Sequence, residues 1–315
     1  MRVRKYSAGL LVLFMLCGMM SCKKNDENAT AIRISGAWAL YPMMVKWGEE
    51  YKKLRPEVRL DISAGGAGKG VADALSQLSD VGMISREIHA VETKQGAVYV
   101  AVVKDAVFPT MNSRNPGAAI LNEKGIKKAA FLDLFVYGKA MIWGDLTGTG
   151  YREQVQVYTR SDSCGAAETW AKYLGDHKQE DLQGIGVYGD PGLAAAVKKD
   201  VWGMGYNNLN YLFDAKTGLP VEGLQAVPVD VNENGKVDPE EVLTSKEKAI
   251  KAVASGIYPA PPARDLYLLT KERFRGPAKE FIKWILADGQ KYVEEVGYIR
   301  LSEAQIKAEL ARLEK

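Results

Sequence analysis

The stretch Ile34-Ser-Gly-Ala-Trp-Ala-Leu-Tyr-Pro-Met-Met44 passes from a short apolar segment into a helical pattern, and the glycine run Ala64-Gly-Gly-Ala-Gly-Lys-Gly70 marks a second such change. Residues 32–35 are β-prone, and apolar residues recur at helical spacing from Met43 to Leu54. A glycine-rich turn between a strand and a helix leaves backbone N–H groups unpaired at the positive end of the helix dipole. The two turns therefore predict a binding site for a small anion.

A third turn of this kind follows the predicted strand Val155–Tyr158. It reads Thr159-Arg-Ser-Asp-Ser-Cys-Gly-Ala-Ala167 and leads into a helical pattern from Ala166 to Leu174. A nucleotide-binding P-loop is excluded for the earlier glycine run, because Lys69 there precedes a glycine instead of Ser or Thr. The three turns favour a receptor for a small oxyanion.

Two arginines are predicted to supply charge to this site. Arg86 follows Ser85 at the carboxyl end of the short apolar strand Val81–Ile84, and Arg160 lies in the third turn. A guanidinium can hold two oxygens of a tetrahedral anion at once, which a lysine cannot do with fixed geometry. We therefore expect both arginines near the anion.

The first 21 residues form a targeting segment. Arg2, Arg4 and Lys5 precede the apolar run Ala8–Met20, and Ser21 before Cys22 is typical of a lipoprotein processing site. The apolar run is too short for a membrane span. We predict cleavage after residue 21, a lipid on Cys22, a tether over 22–31, and an envelope protein at the periplasmic face, with surface exposure as an alternative.

Charge and cysteine content exclude further classes. The chain has 42 Lys and Arg against 39 Asp and Glu, and the excess of three equals the three basic residues of the leader. A balanced mature chain without a basic, aromatic-rich run gives no reason to expect nucleic-acid binding. Of three cysteines, only Cys164 lies beyond the leader and the predicted lipid site, so no intrachain disulfide is expected.

Strand and helix patterns alternate along the chain, which predicts an α/β fold with mainly parallel strands. Asn122–Val136 is expected to be one helix, and Val98–Val103 a buried strand. Asp105–Asn115 is interpreted as a crossing to a second lobe, and the rigid Pro259–Pro262 as the return crossing.

Four segments carry a resemblance to a known family. Gly36-Ala-Trp-Ala-Leu-Tyr-Pro42, Gly65-Gly-Ala-Gly-Lys-Gly70, Asp80-Val-Gly-Met-Ile-Ser-Arg-Glu87 and Arg160-Ser-Asp-Ser-Cys-Gly-Ala166 resemble the phosphate-contacting segments of the phosphate-binding proteins of ABC importers. The likeness runs from Ile32 to the last helix. It implies a two-lobed, class II periplasmic-binding-protein fold with a hinge of two chain crossings.

The resemblance also implies lobe boundaries, ligand contacts and partners. Lobe 1 would comprise 32–104 and 258–315, and lobe 2 would comprise 105–257. The partners would be phosphate and a membrane permease of the ABC type. The protein itself would be a monomer and would need no catalytic cofactor. The predicted anion contacts are Ala39, Leu40, Tyr41, Gly66, Ala67, Gly68, Ser85, Arg86, Arg160, Ser163, Cys164, Gly165 and Ala166.

Several of these positions differ in chemistry from the best-known members of the family. In those members several of the positions carry hydroxyls or a carboxylate, whereas here they are Leu40, Ala67, Ser85, Cys164 and Ala166. Backbone N–H donors survive such changes, whereas a carboxylate that accepts a hydrogen bond from a protonated anion does not. A site without that acceptor is expected to discriminate less between hydrogen phosphate and sulfate.

The loop Asp230-Val-Asn-Glu-Asn-Gly-Lys-Val-Asp-Pro-Glu-Glu241 matches the calcium loop of an EF-hand. Gly235 stands where that loop turns sharply, and a predicted strand replaces the usual first helix. Loops of this kind outside helix pairs favour a structural calcium site over a sensor. The predicted ligands are Asp230, Asn232, Asn234, Lys236 through its carbonyl, Asp238 and Glu241.

Three alternatives stay open from the sequence. The same fold could bind sulfate or molybdate, or could act as a sensor. Cys164, at a predicted helix N-terminus beside an arginine, could be the nucleophile of a hydrolase or transferase, with His89 as its base. A surface lipoprotein could also use the calcium loop in adhesion.

Overall fold

The computed structural model describes residues 30–256, 258 and 263–315. The predicted lipidation site Cys22, the leader and the proposed return crossing Pro259–Pro262 lie outside the described residues. Within the described part, no helix has the length and apolarity that crossing a membrane requires.

Strands and helices alternate, which confirms the α/β class. The strands are β1 (Thr30–Gly36), β2 (Val58–Ala64), β3 (Val81–Ile84), β4 (Ala97–Asn112), β5 (Ile126–Lys127), β6 (Gln156–Arg160), β7 (Ile185–Val187), β8 (Gly203–Asn208), β9 (Leu224–Ala226), β10 (Val229–Asp230) and β11 (Ala263–Lys271).

The helices begin where the sequence offers proline, a cap or a glycine turn. Pro42 stands at the start of α1, and Ser302 accepts a hydrogen bond from Gln305 N–H at the start of α13. The helices are α1 (Tyr41–Leu54), α2 (Ala67–Leu75), α3 (Ala90–Lys94), α4 (Ala118–Lys124), α5 (Lys128–Phe135), α6 (Trp143–Thr147), α7 (Gly165–Gly175), α8 (Gly189–Lys199), α9 (Leu209–Leu212), α10 (Lys246–Ala254), α11 (Gly276–Leu286), α12 (Val293–Val296) and α13 (Glu303–Leu313).

The main sheet has the strand order β2-β1-β3-β11-β4-β8-β6-β7, with β9 also paired to β4. The outer pairs are parallel, as predicted, with Ile34 opposite Ile62 between β1 and β2. The central pairs of β11 and β4 are antiparallel, so the expectation of mainly parallel pairing holds only away from the centre. β4 and β11 are antiparallel because β4 carries the chain from one half of the sheet to the other and β11 carries it back.

Two clusters of buried apolar side chains divide the molecule. The first, which we call lobe 1, draws on residues 32–103 and 266–313, and the second, lobe 2, draws on residues 106–258. Strand β4 contributes Val103 to the first cluster and Ala106 to the second. The crossing is therefore a continuous strand, much longer than the segment Val98–Val103 that the sequence predicted.

The predicted single helix Asn122–Val136 is wrong. Gly125 adopts a φ of +67°, which ends α4, and the short strand β5 then pairs with β10 before α5 begins. A glycine in this backbone region is a common helix terminator, because a side chain there would clash with the backbone. The pairing also fixes the start of the calcium-type loop, since Asp230 lies opposite Lys127.

Candidate anion-binding site

The first glycine turn forms a tight corner on lobe 1. The Leu40 N–H donates to the carbonyl of Ala37 at 3.1 Å, and Tyr41 N–H donates to the carbonyl three residues earlier. Ala39 is buried, and its carbonyl accepts from the Tyr298 hydroxyl at 2.6 Å. These bonds hold the corner at the start of α1 in one conformation.

The second and third turns meet across the lobes. Gly68 N–H donates to the carbonyl of Ser163 at 3.2 Å. Gly66 has a φ of +91°, and a Cβ there would lie 2.7 Å from that same carbonyl oxygen. A Cβ on Gly165 would lie 1.9 Å from the carbonyl oxygen of Ser85. Glycine at these positions lets the two lobes approach at backbone distance.

The third turn leads into α7 through Cys164. Its thiol sulfur accepts from the N–H of Ala167 at 3.4 Å, as an N-cap does, and its own N–H donates to Gln179 Oε1 at 2.9 Å. Cys164 and Ala166 are both buried. Ala67 begins α2 and is likewise buried, so the first turns of both helices are removed from solvent.

Arg160 is the central charge of this site. Its side chain has no exposed surface, and Nε and Nη2 donate to the two carboxylate oxygens of Asp162 at 2.8 and 2.6 Å. Nη1 lies 2.8 Å from Oδ2 of Asp190, at the start of α8. Burial opposes the charge of Arg160, but the neighbouring carboxylates, Asp190 first, raise its pKa. The arginine is therefore charged at every physiological pH.

The two carboxylates differ in their surroundings. Burial acts against ionisation of Asp162, but its bonds to Arg160 and to Gly189 N–H, the latter at 3.0 Å, lower its pKa. Asp190 is 2% exposed, and burial outweighs the attraction of Arg160, so the pKa of Asp190 is raised. Neither residue was among the predicted site residues, although Asp162 stands inside the third turn.

Another arginine with a largely buried side chain, Arg264, was missed by the sequence analysis. Its Nε donates to the carbonyl of Ser85 at 2.6 Å, and Nη2 donates to Oδ1 of Asn208 at 2.5 Å. The carboxylate of Asp105 lies 3.8 Å from Nη2. An arginine next to an aspartate at the head of the apolar run Leu266–Leu269 is a signal that could have drawn attention to it.

Arg86 makes contacts that the sequence did not predict. It forms two hydrogen bonds with the carboxylate of Glu92, at 3.0 and 2.6 Å, and its Nε lies 3.3 Å from Glu168 on α7. His89 also contacts Glu168, at 3.1 Å, and Lys172 pairs with Glu87 across the lobes at 2.8 Å. In the described structure Arg86 thus links lobe 1 to α7.

Two buried donors between the lobes have no hydrogen-bond partner among the described residues. They are Nε1 of Trp38 and Nη1 of Arg264. Trp38 packs against Gly189, where a Cβ would lie 3.3 Å from the indole nitrogen. A buried donor without an acceptor costs about 1–3 kcal/mol, so such a set favours an anionic acceptor between the lobes.

The calcium-type loop lies apart from the cleft, in lobe 2. Asp230 is 1% exposed, and its oxygens accept from the N–H groups of Asn234 and Gly235 at 3.0 and 2.9 Å. Glu241 reaches back to Val231 N–H at 2.7 Å. Among the described residues, in this loop and elsewhere, no three His, Cys, Asp or Glu side chains lie close enough together to hold a metal ion.

The structure brings part of the predicted anion set together. Glycine and polar residues of the second and third turns are in contact, whereas Arg86 points to carboxylates. The predicted residues at or beside the contacts between lobes are Gly66, Gly68, Ser85, Arg160, Ser163 and Gly165. Asp190 and Arg264 come from distant segments, so no local sequence pattern links them to the turns.

The chain is similar to known proteins along most of its length. A family model described as a PBP superfamily domain matches residues 23–289. A phosphate-binding protein PstS from Bacillus subtilis is 26% identical over 291 residues, covering 91% of this chain and 86% of the relative. A phosphate-binding protein PstS from Methanocaldococcus jannaschii is 25% identical, with 91% and 87% covered.

A solved structure from Clostridium perfringens shows the same fold. It is a putative phosphate ABC transporter substrate-binding protein with bound phosphate, 22% identical to this chain. It superposes with a TM-score of 0.70 over 87% of this chain and all of that one. The two-lobed, periplasmic-binding-protein fold predicted from the sequence is confirmed.

The environment of Cys164 predicts an unreactive thiol. Burial raises its pKa to about 12, with Arg160 opposing only part of that rise. At pH 8 the group is therefore a thiol, and we expect iodoacetamide to leave it unlabelled in the folded chain 30–315. Mass spectrometry should show full labelling only after unfolding in guanidinium.

A matched control is Ser161→Cys in a Cys164→Ser background, since residue 161 is exposed in the same turn. This cysteine should be labelled in the folded state. Labelling of native Cys164 at the rate of the control would show that the thiol is accessible and ionised, contrary to this description.

Proposed function

This chain belongs to the PBP superfamily, and we propose that it is an extracytoplasmic receptor that captures a small tetrahedral oxyanion, phosphate first, for a membrane permease of the ABC type. The observation that carries the proposal is the fully buried Arg160 guanidinium, enclosed where three glycine-rich turns meet between the lobes. Phosphate-binding names among its relatives support the choice of anion.

The lobes would close around the anion, with the hinge at strands β4 and β11. Closure would remove the anion from water and strengthen each hydrogen bond to it, because the buried site has a low dielectric constant. We propose hinge boundaries near residues 104 and 258. The ligand contacts are those predicted above, from Ala39–Tyr41, Gly66–Gly68, Ser85–Arg86, Arg160 and Ser163–Ala166.

No chemistry on the ligand is proposed. A nucleophilic role for Cys164 needs a thiolate and a nearby base, whereas burial holds this group in the thiol form. His89 is engaged with Glu168 on the face between the lobes. A receptor whose groups only donate hydrogen bonds and charge accounts for the arrangement.

Calorimetric titration of the chain from residue 29, freed of bound anions, tests the proposal. Phosphate should bind, and Arg160→Gln should weaken binding about 30-fold or more, because losing one partner of a buried charge pair costs about 2–5 kcal/mol. Arg152→Gln removes an exposed arginine of the same lobe and should leave the affinity unchanged.

Sulfate and molybdate are titrated in parallel. Tighter binding of either would make the chain a receptor for that oxyanion on the same fold. Absence of heat from all three anions, in a chain that unfolds cooperatively, would refute the proposed function.

We further propose that residues 230–241 bind a structural calcium ion. The loop supplies oxygen ligands at the spacing that calcium requires, and Asp230 and Glu241 are already buried against its backbone. Bound metal would fix the segment after β10, where Val237 N–H donates to the carbonyl of Glu123 at 2.8 Å.

Calcium should raise the melting temperature of the chelator-treated chain. A ligand present at a hundred times its Kd raises the free energy of unfolding by ~2.7 kcal/mol. For a domain of this size that raises the melting temperature by roughly 5–10 °C. Glu241→Gln should abolish the shift, whereas Glu240→Gln, an exposed neighbour outside the ligand positions, should preserve it. An equal shift in both variants would place any calcium elsewhere.

We also propose that Cys22 carries a lipid that holds the receptor at the envelope, on the periplasmic side or the surface. The full-length chain expressed in a bacterium should sediment with membranes, and Cys22→Ser should release it into the soluble fraction. Membrane association that persists in Cys22→Ser would refute the anchor.

A further inference from the structure

Arg264 occupies the junction of the two lobes. It is the second residue of β11, and it stands opposite Asp105 in the ladder between β11 and β4. Its side chain is only 8% exposed. A buried arginine at a chain crossing is in a position to respond to the relative placement of the lobes.

The guanidinium contacts both lobes directly. Nε donates to the carbonyl of Ser85, which follows β3 in lobe 1, and Nη2 donates to Oδ1 of Asn208, which ends β8 in lobe 2. The two acceptors belong to different lobes, so this one side chain bridges the lobes. Arginine suits this place because its fork presents several donors in one rigid plane.

From Asn208 the contacts continue to the central arginine. The Asn208 amide nitrogen donates to Oδ1 of Asp190 at 2.6 Å, and Oδ2 of Asp190 lies 2.8 Å from Nη1 of Arg160. An amide that accepts on oxygen and donates on nitrogen satisfies both neighbours in one orientation only. Arg264 therefore fixes the orientation of Asn208, and through it the carboxylate that faces Arg160.

The Ser85 carbonyl is also the atom on which the third turn packs. A Cβ on Gly165 would lie 1.9 Å from this oxygen, so the first residue of α7 is in van der Waals contact with it. The bond from Arg264 thus holds the surface against which lobe 2 closes.

Resting on the proposed function, we propose that Arg264 is a positioning residue of the anion site, which stabilises the closed lobes and orients Arg160 through Asn208 and Asp190. It acts on the lifetime of the closed complex. Its loss should speed release of the anion and leave capture by the open form almost unchanged.

Stopped-flow tryptophan fluorescence with inorganic phosphate separates the two rates. Arg264→Gln should raise the dissociation rate at least about tenfold while the association rate changes less than threefold. Arg264→Lys keeps the charge but cannot reproduce the fork, so it should fall between. Arg273→Gln, an exposed arginine just beyond the same strand, is the matched control and should behave as wild type. An unchanged dissociation rate in Arg264→Gln, or full rescue by lysine, would overturn the proposal.

A measurement without anion separates this proposal from the proposed function. Dyes on Leu54→Cys in lobe 1 and Tyr137→Cys in lobe 2, both exposed, report the distance between the lobes in a Cys164→Ser background. Adding Arg264→Gln should shift energy transfer toward the open state. If phosphate fails to bind the wild type but this shift occurs, the assigned ligand is wrong and the role of Arg264 stands.

If the wild type binds phosphate and Arg264→Gln alters neither the release rate nor the distance between the lobes, the proposed function stands and the role of Arg264 is refuted. Circular dichroism and thermal unfolding check that each variant folds. Should Arg264→Gln fail to fold, Arg264→Lys carries the test through its dissociation rate.

Discussion

The burial of the Arg160 guanidinium is the constraint on which the rest of the site depends. A charge removed from water is unstable unless carboxylates and further hydrogen bonds surround it. Asp162 comes from the same turn, but Asp190 arrives from the start of α8. Each carboxylate has a further donor, Gly189 N–H for the first and Asn208 for the second. The turn after β6, the start of α8 and the end of β8 must therefore fold together.

Close approach of the lobes has a second requirement, which is the absence of side chains at particular places. Gly66 and Gly165 lie where a Cβ would overlap carbonyl oxygens of the opposite lobe. The glycines that make the turns suitable for anions also let these turns meet. Ion pairs of Glu168 and Lys172 on α7 with lobe 1 then add charged contacts beside the glycine contacts. The proposed anion contacts and the contacts between the lobes thus share one set of residues.

The structure also changes the interpretation of the site's selectivity. The sequence suggested that no acceptor carboxylate remains for a protonated anion, because the matching positions carry other side chains. Asp162 and Asp190 nevertheless stand against Arg160, and Asp190 is buried with a raised pKa. Carboxylates are therefore present beside the central cation, supplied from other positions than those that the resemblance implied. Charge balance around Arg160 thus depends on one carboxylate from the third turn and on a second, Asp190, that no turn motif includes.

The sequence by itself determined the α/β class, the three turns and Arg160, because each is a local pattern of glycine, strand and helix signals. It misjudged the helix 122–136, since β5 forms only by pairing with β10, a hundred residues away. Tertiary structure alone decided that Asp190 lies beside Arg160, that Arg264 bonds the carbonyl of Ser85 and that Arg86 reaches Glu168. Ion-pair partners are chosen by proximity in the folded chain, and proximity across 30 to 180 residues leaves no periodic trace in a single sequence.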